Sequence, residues 1–386
     1  MDSEIQPHES QPASADAGLT QSGPETGLEL TPAQPSTLHR IFIGPQGLRV
    51  GWSVAIFFAL FALALLVIAG LVWVAAFLLH HKASTGAGMT PISTIVGEGS
   101  TLLALICAGF LIALIERRRI LDYNLRGAGS VARFGSGLVA GFAALSALAG
   151  GLYLGGWLHF GPVALTGSQI FEYGALWAVG FLFVGFTEEG FCRCYLQFTL
   201  TRGINFWWAL GVVAGLCAIL APYYKSESAW GLWFFAAAGF FPCFGLHLRD
   251  TSRGSFWYAA WATSTFFGFV HTSNNGENWI GIFAAAAIGF VFCVSVYVTG
   301  SAWWAIGCHA AWDWAETFFY GTADSGNVAK GHFLTTTPSG PALWSGGTDG
   351  PEGSLLVLPA ILLILAIVLV QYGRSGATRH SVNRAT

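Results

Sequence analysis

A pair of adjacent glutamates inside an apolar stretch is the first feature of this sequence that could perform chemistry. Glu188 and Glu189 are followed by Arg193. On a helix, residues four apart share a face, so Glu189 can pair with Arg193. Glu188 lies about 100° away around the same helix and has no such partner. A salt bridge near a helix end would explain Glu189 and Arg193, but it leaves the second carboxylate without a structural purpose.

Two further clusters contain histidine. His271 closes an apolar stretch four residues after Phe267, and His309 is followed at the same spacing by Asp313. A carboxylate on the same helix face can fix the tautomer of an imidazole and raise its basicity. Glu316 lies three residues beyond Asp313, near that face. The structural alternatives are a histidine satisfied at the membrane interface and a polar pair that locks helices together.

Together these side chains indicate an active site more strongly than they do separately. An ionisable residue in the middle of a membrane helix costs about 2.5–3.5 kcal/mol, so the clusters should converge on a cavity inside the protein. They supply a general base, an orienting acid and donors for an oxyanion. No Ser or Cys stands at a spacing that suggests a nucleophile, and the seven cysteines lie in apolar runs typical of buried positions. The natural nucleophile is therefore water activated by a glutamate, and peptide hydrolysis fits best.

The composition identifies the environment of these residues. The chain has 386 residues, of which 54% are apolar and only 10% charged, with a net charge of -3. Soluble domains carry about 25% charged residues. The sequence thus predicts an all-α fold, a polytopic transmembrane helical bundle of about eight to ten helices. The absence of a basic excess argues against nucleic acid as a partner.

Ten apolar stretches of roughly spanning length are visible, two or three of them short. They are 52–79, 96–115, 134–158, 172–192, 205–221, 229–247, 255–271, 279–299, 302–320 and 354–372. Arginines concentrate in every second loop, which predicts ten spans with the N- and C-termini in the cytoplasm. This pattern fits a bacterial cytoplasmic membrane.

Composition and the position of the polar motifs divide the chain into four predicted parts. Residues 1–40, rich in Pro, Ser and acids, are predicted to be a disordered tail. N-terminal transmembrane helices follow over 41–165, a catalytic membrane domain over 166–372, and a basic C-terminal tail over 373–386. Within the third part, the Gly-rich loop 321–353 is predicted to lie outside the membrane.

The order of the polar motifs resembles the CPBP family, the CAAX proteases and bacteriocin-processing enzymes that include the type II CAAX prenyl endopeptidases. The motifs are Glu-Glu-x-x-x-Arg, Phe-x-x-x-His and His-x-x-x-Asp, and they fall in this order between residues 170 and 320. The stretch 346–354, Gly-Gly-Thr-Asp-Gly-Pro-Glu-Gly-Ser, is also similar to a segment of bacterial members. The matching residues are Glu188, Glu189, Arg193, Phe267, His271, His309 and Asp313.

The resemblance implies an intramembrane endopeptidase and a role for each matched side chain. Glu188 would activate water, and His271 would share that task. His309 and Asp313 would orient the water or stabilise the oxyanion, and the spacing favours Asp313 as the group that orients His309. The implied substrate is a membrane-embedded or lipid-anchored peptide or protein. The oligomeric state is not predicted.

The remaining roles concern the second glutamate and a metal. Arg193 would hold Glu189 behind the reacting groups. The family has been described both as metal-independent glutamate proteases and as zinc metalloproteases. A site without a cofactor is the simpler interpretation, and zinc held by Glu188, His271 and His309 is the alternative.

Two departures from the family pattern are visible. Prenyl-protein processors often carry Asn where this chain has Asp313, and the predicted spans place Glu188 towards the inner side but His271 at an outer end.

A non-catalytic scaffold or immunity protein of the same fold is the first alternative function. A proton-coupled transporter is the second, weakened by the lack of internal repeats.

Overall fold

The computed structural model describes residues 37–44, 47–78, 89–221, 228–251, 254–274 and 276–382. The chain divides into a short unit that ends at Ile41 and a membrane unit from Phe42 onwards. The prediction of a disordered tail over 1–40 falls almost entirely outside the described residues. The described part of the first unit is the start of helix α1, Thr37–Phe42.

The membrane unit is a helical bundle, as predicted, and each of the ten apolar stretches coincides with a helix. Seven helices of the described part are long and apolar enough to cross a membrane. The others include α7, which is short, and α9 and α11, which contain the two motif histidines. The helices are α2 (Val50–Leu78), α3 (Pro91–Glu116), α4 (Ser130–Leu154), α5 (Ser168–Glu189), α6 (Gln197–Thr201), α7 (Phe206–Ile219), α8 (Ser228–Leu248), α9 (Gly254–His271), α10 (Trp279–Thr299), α11 (Trp303–Trp314), α12 (Ala342–Ser345) and α13 (Val357–Val382).

Two π-helical segments interrupt the helices that contain the first and third motifs. The first π segment, Gly190–Leu196, joins α5 to α6, so one helical span runs from Ser168 to Thr201. The second π segment, Ala315–Tyr320, continues α11. Wide turns of this kind are frequent at functional sites.

The long span corrects the predicted end of the fourth stretch at residue 192. The helix continues because its polar side chains are buried against partners inside the protein. Gln197, which is fully buried, donates to the carbonyl of Phe256 at 3.2 Å and accepts from the Thr263 hydroxyl at 3.0 Å. Glu188 therefore lies inside this helical span rather than near its end.

Helices α4 and α11 pack against each other through glycines. A Cβ atom at Gly137 or Gly141 of α4 would overlap the carbonyl oxygens of Trp304 and Cys308, and one at Gly307 of α11 would overlap a carbonyl of α4. Small residues four apart allow such close approach of two backbones in a membrane protein. This contact fixes the position of α11.

The ends of α2, α3 and α6 are joined by one carboxylate. Glu116 accepts hydrogen bonds from Ser53 at 2.5 Å and from Tyr123 at 3.1 Å, and it binds the Arg202 guanidinium at 3.0 Å. Arg118 lies 3.4 Å from the same carboxylate. This polar cluster ties the N-terminal helices to the long span that contains the glutamate motif.

The loop between α11 and α13 has short regular elements of its own. Strand β4 (Leu334–Pro338) pairs antiparallel with β3 (Leu158–Val163), which follows α4. A 3₁₀ turn at Pro351–Gly353 precedes α13. A second small ladder, β1 (Ile43–Gly44) with β2 (Gly47–Leu48), precedes α2. Helix α13 extends through most of the predicted basic tail, and residues 383–386 lie outside the described part.

Candidate active site

Glu189 and Arg193 form a fully buried ion pair where α5 meets the first π segment. Both side chains have no exposed surface, and Arg193 Nε lies 3.2 Å from Glu189 Oε2. This is the pairing that the spacing of the two residues predicts. Because the pair is shielded from solvent, removing one partner would leave an uncompensated charge, at a cost of about 3–5 kcal/mol.

Aromatic rings and a glycine make room for the buried guanidinium. Arg193 lies over the ring of Phe267 at 4.4 Å and near that of Phe292 at 5.5 Å. Cation–π contacts of this kind strengthen when water is excluded. A Cβ atom at Gly289 would lie only 2.5 Å from Arg193 Nη2. The lack of a side chain at Gly289 therefore creates the space that Arg193 occupies.

Glu189 also orients His309. Its Oε1 atom lies 2.9 Å from His309 Nδ1. An ionised carboxylate can only accept, so Nδ1 carries the proton and donates it. The imidazole thereby turns Nε2 towards Glu188 and Asp313. Glu189 holds Arg193 with one oxygen and His309 with the other.

This geometry differs from the expectation that Asp313 orients His309. Asp313 Oδ2 lies 3.5 Å from Nε2 of His309, on the side of the ring away from Glu189. The spacing of four residues places the carboxylate on the correct face, as predicted. The Nδ1 contact, however, comes from another helix, and helix periodicity within α11 cannot reveal such a neighbour.

Glu188 is the free carboxylate of the pair. Its Oε2 atom lies 3.7 Å from His309 Nε2 and is buried without a hydrogen-bond partner among the described residues. About a third of the side chain is exposed, 34%, whereas Glu189 is completely enclosed. Glu188 therefore has both the freedom and the access that a general base needs.

His271, the last residue of α9, is oriented by its own helix. Its Nδ1 atom lies 2.8 Å from the carbonyl oxygen of Phe267. Since a carbonyl only accepts, Nδ1 again carries the proton and Nε2 is left with its lone pair. The ring of Phe267 lies 4.6 Å from that of His271 and 6.0 Å from that of His309, between centroids. Phe267 thus contacts both imidazoles and the buried guanidinium.

A cavity of about 250 Å³ gathers four of the six predicted site residues. Glu188, His271, His309 and Asp313 all line it. Glu189 and Arg193 do not, because they are buried behind His309. The prediction that all six residues line one cavity is therefore wrong for Glu189 and Arg193. Glu189 instead holds the imidazole of His309 through Nδ1.

Three acidic residues that line the same cavity were missed by the sequence reasoning. They are Glu98 of α3 and two loop residues, Asp324 and Glu352. Glu98 could have been found, since it is a carboxylate inside a predicted span. Asp324 lies in the loop between α11 and α13, where acids are common and carry no such signal. Glu352 belongs to the stretch 346–354, which the resemblance singled out without giving it a role.

The predicted zinc ligands match zinc in type but are not gathered as a metal site. Each imidazole presents Nε2 with Nδ1 held by an oxygen acceptor, an arrangement typical of metal-binding histidines. In the described part of the chain, however, the set Glu188, His271 and His309 does not bring three ligand atoms within 4.8 Å of one another.

Residues 240–315 match the family model described as Rce1-like, type II CAAX prenyl endopeptidase Rce1-like. The matched region covers the second and third motifs, including Phe267, His271, His309 and Asp313. It begins after the glutamate motif and does not include it. The chain thus contains a region that matches the CAAX protease family model, which confirms the resemblance drawn from the motifs. No curated protein and no solved structure matches the chain.

Proposed function

We propose that this integral membrane protein is an endopeptidase that hydrolyses a peptide bond by means of water activated by Glu188. The observation that carries the proposal is the convergence of Glu188, His271, His309 and Asp313 on one cavity within the helical bundle. The match to the CAAX protease family supports the reaction class.

In the proposed reaction, Glu188 takes a proton from water while the water oxygen bonds to the scissile carbonyl carbon. His271, through the lone pair of Nε2, holds the water by its second proton. The tetrahedral intermediate then breaks its carbon–nitrogen bond, and Glu188 returns the proton to the departing amine. Every proton is accounted for, and water is the only other reactant.

The oxyanion of this intermediate would be bound on the side of α11. Nδ1 of His309 is committed to Glu189, so only Nε2, when it carries a proton, can donate to the oxyanion. Asp313, 3.5 Å from that nitrogen, can donate only in its protonated form. Preorganised donors of this kind are commonly worth about 3–4 kcal/mol of barrier.

The surroundings of the cavity favour a membrane-associated substrate. Apolar side chains of α10 and α13, such as Ile288 and Ile361, share the lining with the polar centre, and the exposed loop residue Asn327 also lies on it. A peptide segment could therefore enter at the loop end and contact the apolar wall. We further propose a bacterial cytoplasmic membrane, with both termini in the cytoplasm.

The decisive test compares two identical substitutions on α5. Purified protein in detergent would be incubated with a library of membrane peptides and the products identified by mass spectrometry. Glu188→Gln should abolish cleavage, at least a 10³-fold loss on the scale of general-base and positioning effects, while keeping the fold. Glu172→Gln, at an exposed position of the same helix, should cleave like the wild type.

Two results would contradict the proposal. Full activity of Glu188→Gln would exclude Glu188 as the base, and a wild-type protein that cleaves no peptide would favour a non-catalytic scaffold. Metal dependence is tested separately with 1,10-phenanthroline, which removes zinc. Activity should persist; loss of activity that zinc restores would instead support Glu188, His271 and His309 as ligands.

A further inference from the structure

A second acidic cluster lies at the wall of the cavity, outside the motifs that define the candidate active site. Carboxylate oxygens of Glu316, Asp324 and Glu352 all lie within 4.8 Å of one another. Glu316 belongs to the second π segment, whereas the other two belong to the loop between α11 and α13. Three carboxylates this close together repel strongly unless they share protons or a cation.

Glu316 is the member that points to a ligand. Its side chain has no exposed surface, and neither of its carboxylate oxygens has a hydrogen-bond partner among the described residues. An unsatisfied buried carboxylate is costly. Since Glu316 contributes one of the clustered oxygens, its unsatisfied group is directed into the space between the three residues.

The other two carboxylates are held in place by neutral donors. The Thr317 hydroxyl donates to Asp324 Oδ2 at 2.8 Å. Glu352 accepts from Trp312 Nε1 at 2.8 Å and from the Ser325 hydroxyl at 3.0 Å. These contacts orient the oxygens without supplying a positive charge. Ligands of a metal ion are typically fixed by hydrogen bonds of this kind.

We propose that Glu316, Asp324 and Glu352 bind a divalent cation that prefers oxygen ligands, with Ca²⁺ as the best fit. Ca²⁺ accepts six to eight oxygens in flexible geometry, which suits carboxylates from separate segments completed by water. The stretch 346–354, which the proposed hydrolysis leaves without a role, supplies Glu352. The three residues lie outside the motifs that contain Glu188 and His309, and two of them, Asp324 and Glu352, share the cavity with that pair.

The cation would join the loop to the helix that contains the catalytic candidates. Glu316 follows α11, and Asp324 and Glu352 both line the cavity. Trp312, which holds Glu352, is adjacent to Asp313 in sequence. Cation binding would therefore neutralise one wall of the cavity and hold it in place. Loss of the cation would loosen the loop at the end of the cavity where Asn327 is exposed.

The test uses Tb³⁺, a luminescent substitute for Ca²⁺, on the full-length protein purified in detergent. The indole of Trp312 donates to Glu352 and would be close enough to sensitise a bound ion. Saturable terbium emission that Ca²⁺ displaces is the expected result, together with a rise in melting temperature on adding Ca²⁺. Mg²⁺, titrated in parallel, should compete more weakly.

Matched variants locate the site. Glu316→Gln should weaken Tb³⁺ and Ca²⁺ binding at least tenfold, and Asp324→Asn provides a second variant should the first fail to purify. Glu172→Gln, the same change at an exposed position, should bind like the wild type. Glu188→Gln should also retain binding, so failure of the protease proposal leaves this test intact.

Any of three outcomes overturns the cation site. Unchanged affinity in Glu316→Gln and Asp324→Asn would place the ion elsewhere, and loss of binding in Glu188→Gln would assign it to the candidate active site. Absence of binding in the wild type would mean that the three carboxylates share protons instead.

Discussion

At the scale of single residues, Glu189 is the centre of the polar network. One of its oxygens lies 3.2 Å from the buried Arg193 and the other 2.9 Å from His309. Glu188, one position earlier, lies 3.7 Å from His309 Nε2, and its Oε2 atom has no hydrogen-bond partner in the described part of the chain. Two adjacent carboxylates therefore perform separate tasks, because one faces a cation in the interior and the other faces the cavity.

Replacing Glu189 should damage both stability and turnover. Glu189→Gln removes the charge that balances Arg193, so we expect a loss of about 3–5 kcal/mol in unfolding free energy. His309 would also lose the carboxylate that fixes its tautomer, which lowers activity in the protein that still folds. Thermal unfolding in detergent and cleavage assays measure the two effects. A variant as stable as the wild type would contradict the buried ion pair.

Asp313 should tolerate an amide. Because Glu189 orients His309 through Nδ1, Asp313 is available as a donor, and Asn donates without needing a proton. We therefore expect Asp313→Asn to retain or increase peptide cleavage, whereas Asp313→Ala should reduce it about tenfold or more. Initial rates at saturating substrate distinguish these results. Strong loss in Asp313→Asn would restore the role first predicted from the spacing, orientation of His309.

The sequence predicts contacts within a helix but not those between helices. The pairing of Glu189 with Arg193 and the common face of His309 and Asp313 follow from a spacing of four residues. The contact between Glu189 and His309 joins residues 120 positions apart. No periodicity encodes it, and the same holds for the unsatisfied carboxylate of Glu316.

At the scale of elements, α11 depends on its packing against α4. The backbones of the two helices approach closely at Gly137, Gly141 and Gly307, where a side chain would overlap a carbonyl oxygen. Cys308, the residue that Gly141 contacts, immediately precedes His309. A small displacement of α11 therefore moves the imidazole relative to Glu188 on α5.

A single methyl group should reveal this dependence. Gly141→Ala forces α4 and α11 apart, so we expect a stability loss of about 1–3 kcal/mol and at least a tenfold fall in peptide cleavage. Gly150→Ala is the matched control on the same helix, because nothing lies within 4 Å of the added carbon. Equal activity of the two variants would argue against this packing as the determinant of the site.

The apolar stretches predict helices well, because spanning segments must satisfy their backbone groups internally. Their ends are predicted less well. The helical span that begins with α5 continues to Thr201 because Arg193 and Gln197 find partners inside the bundle, and a hydropathy pattern cannot distinguish such residues from interfacial ones. The pairing of β3 with β4, from distant parts of the chain, is also absent from any local pattern.

At the scale of the whole molecule, the loop between α11 and α13 meets the junction of α9 and α10 through two acids. Glu277 and Asp349 both face Gly281, where a side chain would overlap both carboxylates. Burial, with Asp349 and Glu352 nearby, raises the pKa of Glu277 to about 9. Burial likewise raises the pKa of Asp349 to about 7. Asn274 hydrogen-bonds Glu277 and acts in the opposite direction.

These shifts predict a stability that falls as the pH rises. A raised carboxyl pKa means that the folded protein retains a proton which the unfolded chain releases from about pH 4.5 upwards. The stabilising contribution is therefore complete at low pH and is lost towards pH 9. Glu277→Gln should flatten the decline of melting temperature between pH 5 and pH 9, measured in EGTA so that Ca²⁺ plays no part. An identical slope in the wild type and the variant would contradict the shift.

The pairing of β3 with β4 has a consequence for biosynthesis. Strand β3 leaves the ribosome soon after α4, but β4 and Glu352 are made only after α11. The wall of the cavity that includes Glu352 therefore cannot close until nearly the whole chain has been synthesised. A nascent protein that still lacks this segment would hold Glu188 and His309 without the complete cavity, so proteolysis would begin only once the last helix is in place.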